Sequence, residues 1–171
     1  MGLFDKFKSS PTAPKGYAPV KVEFTEEEAR AIGHALRRYS EIFNADAPEG
    51  TEAIVTHKMH DAMKANGLVE YVEDLMLQLQ DVPEADYPEI IDKAIRAQMK
   101  AYAMHNLPVY LYQIAGMFEL LGNDAKAREF FALFLQAQNG FSADDVDMIF
   151  LKQSGFDMDQ VVLKAQQKLA R

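Results

Sequence analysis

Residues 107–140, LPVYLYQIAGMFELLGNDAKAREFFALFLQAQNG, constrain the fold more than any other stretch of the chain. Between Pro108 and Leu121 the only charged residue is Glu119. A helix of that composition has no polar face to give to solvent and must be covered on nearly every side. Gly122-Asn123-Asp124 then supplies a tight turn, and a second helix follows to about Gly140. A buried helix folded against its successor marks the structural centre of an all-α protein.

The rest of the sequence is punctuated for helices around that centre. Thr25 with Glu28 forms a capping box that opens a helix to about Asn44, with Ala29, Ile32, Leu36, Tyr39 and Phe43 as its apolar stripe. Thr51 starts a second helix ending near Gly67, and a third runs from Leu68 to Gln80. Asp86 and Pro88 open a fourth that ends near Asn106. Its residues Ile90, Ile91, Ala94, Ile95, Ala97, Ala101, Tyr102 and Met104 spread over about half the circumference, so it contacts more than one neighbour. After the hairpin, a seventh helix runs from Ser142 to Gly155 and an eighth from Asp157 onward. The expectation is one all-α domain of about seven or eight helices, packed as antiparallel hairpins, over residues 21–171. Residues 1–20 read as an amphipathic start followed by a Pro/Ser/Gly linker, and Val20, Val22 and Phe24 as a short extended arm on the helices.

Within the hairpin, Leu111, Ile114, Ala115, Phe118, Gly122, Ala127 and Phe131 form a pattern that resembles one tetratricopeptide repeat. Small residues there let two antiparallel helices approach, and large ones fill the space between them. The resemblance implies a helical hairpin and a role in protein binding. Phe134 and Asn139 depart from the pattern, and no second copy lies 34 residues away on either side.

Charge and composition narrow the function classes. Lys6, Lys8, Lys15 and Lys21 against Asp5 give residues 1–21 a net +3, which leaves −11 on the remainder of a chain of net charge −8. An acidic body repels phosphate backbones, so no nucleic-acid partner is expected. The basic tail can fold back on that body or reach an anionic surface. No cysteine is present, so disulfides, thiolate nucleophiles and thiolate metal sites are excluded. With no apolar leader and no run of about 18–20 apolar residues, a cytoplasmic location is expected.

Chemistry-bearing residues are sparse. His57 and His60 share a helix face with Lys64, whose charge opposes a metal, and His34 lies among Arg30, Arg38 and Glu41; these read as solvated faces. His105, at the end of the fourth helix, reads as a histidine bonded to the last carbonyls of that helix or as a perturbed group beside a cleft. Glu119 calls for an exposed strip or a basic partner such as Lys126, or with Tyr112 and His105 frames a polar pocket. No ExxH motif, calcium loop or phosphate-binding glycine loop occurs, so neither cofactor nor metal is expected. Leu3, Phe4 and Phe7 beside Lys6 and Lys8 could contact an anionic membrane.

The reading that follows is a non-enzymatic interaction or assembly module with a protein partner or a second copy. Its expected surface is Phe130, Leu133 and Phe134, whose helix carries more apolar area than one small core needs. Homodimerisation satisfies that surplus. The alternatives are a small-molecule or enzymatic site at Glu119, Tyr112 and His105, and a membrane-surface adaptor.

Overall fold

Thr25 closes the first helix at its start. Its hydroxyl accepts the Glu28 N–H at 3.2 Å, and the Glu28 carboxylate accepts the Thr25 N–H at 2.8 Å. The computed structural model describes residues 22–50 and 56–170, in seven α-helices: α1 (Glu26–Ala45), α2 (His57–Gln78), α3 (Tyr87–Met104), α4 (Val109–Leu120), α5 (Asp124–Asn139), α6 (Asp145–Gln153) and α7 (Met158–Ala170). A 3-10 turn, Glu84–Asp86, precedes α3, and the described residues include no strand. The all-α expectation holds. Thr51 and Val20 lie outside the described residues, while Phe24 packs against the core just before α1.

Helices α1 to α5 each pack on the next in sequence, with α2 and α3 sharing the most extensive contact. The order then changes. Helix α7 covers α5, whereas α6 crosses back to lie on α2. A buried ion pair secures the front of the stack, where Lys100 Nζ of α3 donates at 2.6 Å to the Glu28 carboxylate, itself 3% exposed. The hairpin turns at Gly122, whose φ of +66° is one that glycine adopts without strain, and Asn123 caps α5 by accepting the Lys126 N–H at 3.1 Å.

Two expectations need correction. Gly67 is not a helix end: α2 runs through it unbroken for 22 residues, so the expected second and third helices are one. The glycine is there for proximity. A Cβ at Gly67 would lie 2.9 Å from Ile32 Cα and 3.0 Å from Ala35 Cβ, so its absence lets α1 and α2 cross backbone to backbone. The second correction concerns the surface assigned to α5. Phe130 and Phe134 are buried at 4% and 0% exposure, and Leu133 is half-buried against the same core. Phe130 meets Phe118 at 5.4 Å between ring centroids, and Phe134 meets Tyr112 at 5.5 Å. The apolar surplus of α5 is absorbed by α4 and by α7, which buries Val161 and Ala165.

Candidate functional site

Because α6 returns to α2, its inner face closes a cleft of about 300 Å³ against α1, α2 and α4. The floor is apolar, formed by Leu107, Val109 and Tyr110 at the start of α4. Phe150 of α6 and Phe156 beyond it make one wall, and Val69 of α2 faces them. Ile42 of α1 stands at the mouth and is 46% exposed. Gln113 completes the cleft from α4, its Oε1 accepting Gln98 Nε2 at 2.6 Å from fully buried Gln98.

The rim is charged. Arg38 on α1 binds Glu70 on α2 through both guanidinium nitrogens, and its guanidinium carbon lies 5.1 Å from the centre of the Tyr39 ring. Asn66 Nδ2 donates to Glu70 Oε1 at 2.8 Å. Glu73, one turn further, meets no such cation among the described residues. Burial, then repulsion from Glu70 and Asp74, pushes its carboxyl above its ordinary value. The cleft thus offers an apolar floor beneath an acidic edge.

Behind that floor a polar chain runs from buried His105 and Asp147 out to the half-exposed Lys58 and Asp144. His105, the residue that ends α3, donates from Nε2 to Asp147 Oδ1 of α6 at 2.8 Å. Asp147 Oδ2 accepts Lys58 Nζ of α2 at 3.0 Å, and Lys58 also bonds Asp144. Asp144 and Asp147 cap α6 reciprocally, at 3.0 and 3.1 Å. Burial pushes the His105 imidazole below its usual value, and the Asp147 carboxylate only partly offsets that, so the ring is neutral near pH 7. For Lys58 the balance is reversed: burial opposes its charge, but the bonds to Asp144 and Asp147 outweigh it and hold the ammonium above its usual value. Tyr110 and Phe150, both cleft residues, place ring edges on the imidazole at 6.4 and 5.6 Å. The chain therefore pins α6 to α2 and α3 and so fixes the wall of the cleft.

Its chemistry is that of a pin. The His105 side chain is 3% exposed, and Nδ1 is buried with no hydrogen-bond partner among the described residues. The His105 backbone N–H bonds the Ala101 carbonyl of its own helix, but its side chain bonds across to α6. The three groups of the expected polar pocket stand apart. Tyr112 packs on Phe131 and Phe134, while Glu119 pairs with Lys168 of α7 at 2.6 Å, Lys126 being engaged by Glu129. Leu3, Phe4 and Phe7 lie outside the described residues. His34, His57 and His60 are exposed, and no group of three or more His, Asp or Glu among the described residues is arranged to hold a metal ion. No helix among them is long and apolar enough to cross a membrane.

Sequence reasoning missed Asp147, Lys58, Arg38 and Glu70 as a set. Only the Asp144–Asp147 spacing, that of a reciprocal cap, carried a local signal. No family model matches the chain, and neither a curated protein nor a solved structure does so.

Proposed function

We propose that the protein is a non-catalytic helical binding module, cytoplasmic, whose α1–α2–α4–α6 cleft takes a short peptide segment with an aromatic side chain flanked by basic residues. The observation that carries this reading is the apolar floor beneath an edge where Glu70 is paired with Arg38 and Glu73 meets no cation among the described residues. A volume of about 300 Å³ lies at the bottom of the roughly 300–1,000 Å³ range of small-molecule sites, and suits one or two aromatic side chains. Glu73 supplies a carboxylate that a lysine or arginine of the partner would relieve of its like-charged neighbours. The net −11 borne by residues 22–171 steers a basic segment towards it, most strongly at low salt.

The test is a titration of the full chain with short peptides in which one phenylalanine is flanked by lysines or by glutamates, followed on the backbone amide signals of the cleft. Lysine-flanked peptides are expected to shift Ile42, Val69 and Glu73, and Glu73→Lys is expected to weaken them severalfold, because a like-charge repulsion replaces an exposed charge pair worth up to ~1 kcal/mol. Equal binding of both peptide classes, or binding indifferent to Glu73→Lys, overturns the reading.

A further inference from the structure

The sequence itself contains a segment of the chemistry the cleft would take. Phe4 and Phe7 are three residues apart, with Leu3 before them, Asp5 and Lys6 between and Lys8 after, and residues 1–21 carry +3 against the −11 of the remainder. We propose that residues 3–8 are the first occupant of the cleft, bound within the same molecule, so that the protein masks its own binding site until a partner displaces them. This rests on the reading of the cleft as a peptide site.

Reach and charge both favour it. The described chain begins beside the start of α1, where Phe24 packs on the core, and the cleft is entered further along the same helix at Arg38 and Ile42. Arg38 lies twelve helical steps beyond Glu26, about 18 Å at 1.5 Å per residue. The sixteen steps from Lys8 to Phe24 span up to about 50 Å of extended chain, ample to bring Phe7 over Val69 and a lysine to Glu73. A tether of that length presents its end at an effective concentration of about 1 mM. Even an intrinsic affinity of about 100 μM then leaves the cleft roughly nine-tenths filled. The acidic edge selects the same sign of charge that the tail carries, and no cation among the described residues stands on Glu73.

The chain lacks cysteine, so Ser9→Cys gives a single attachment point for a nitroxide just outside the docking residues. In the full-length protein the label is expected to broaden the amide signals of Ile42, Val69 and Glu73, to the same extent after tenfold dilution, and Phe4→Ser with Phe7→Ser is expected to abolish it. The same double variant should bind a free lysine-flanked phenylalanine peptide about tenfold more tightly than the natural chain, because it has no internal competitor. Three results overturn the proposal: broadening absent or spread over other faces; broadening transferred to unlabelled copies in a mixture, which makes the occupant a second molecule; or broadening lost when phosphatidylserine vesicles at cellular ionic strength take up the tail. If the double variant binds the free peptide at the cleft while the label broadens nothing there, only the intramolecular occupant fails. If no such peptide binds either form, the cleft reading fails with it.

Discussion

Burial and a carboxylate act on His105 in opposite directions, and burial is the stronger. Its folded pKa therefore lies below the value near 6.5 of an unfolded histidine, so the folded protein binds fewer protons than the unfolded chain in that range. The contribution is fully present above pH 6.5 and is lost as pH falls through the folded value. His60, depressed by partial burial and by Lys64, adds in the same sense. Urea denaturation from pH 7.5 down to 5 is expected to show stability falling below pH 6.5, and His105→Gln, which retains a donor for Asp147, to flatten the greater part of that fall. An unchanged slope in the variant would place the acid sensitivity elsewhere. The sequence marked His105 as a residue at a helix end, but its partner lies 42 positions away, and nothing local announces Asp147.

Helical glycines separate what a single element decides from what its neighbour imposes. Gly33 and Gly67 both lie inside helices, where alanine is favoured by about 1 kcal/mol. At Gly33 a Cβ meets nothing within 4 Å, and Gly33→Ala is expected to stabilise by about 0.5–1 kcal/mol. At Gly67 the same methyl meets the backbone of α1 at Ile32, which can yield only by moving the two helices apart. Gly67→Ala is expected to destabilise by about 1–3 kcal/mol, a difference in sign read directly from denaturation midpoints. Intrinsic preference made Gly67 look like a terminus; the tertiary contact makes it a crossing point. Thr25 with Glu28 needed no such context, because a capping box closes within four residues of one segment.

Across the whole molecule the decisive feature is the divergence of the last two helices, α6 to α2 and α7 to α5. Helix α7 is held over α5 by Arg128, which donates to the Lys168 and Leu169 carbonyls at 3.1 and 2.8 Å, and over α4 by the Lys168–Glu119 pair. Ending the chain after Asp157 removes that cover, and the variant is expected to self-associate and to bind a hydrophobic dye, as measured by light scattering and fluorescence. A monomeric, dye-silent variant would show that α5 needs no cover.

The helical class, the cap at Thr25, the turn at Gly122–Asp124 and the burial of Leu111, Ile114 and Phe131 were all determined by the sequence alone, since each follows from spacing within one or two turns of chain. Which helix lies on which was decided only by the tertiary structure. The sequence showed that α5 carried too much apolar surface to stand alone, but not that α7 would absorb it. Nor did it show that α6 would fold back to pin its acids on Lys58 and His105, and so open a cleft between α1 and itself. Those outcomes depend on how distant surfaces compete for one another, and periodicity, which reports only what each helix offers, is silent on the winner.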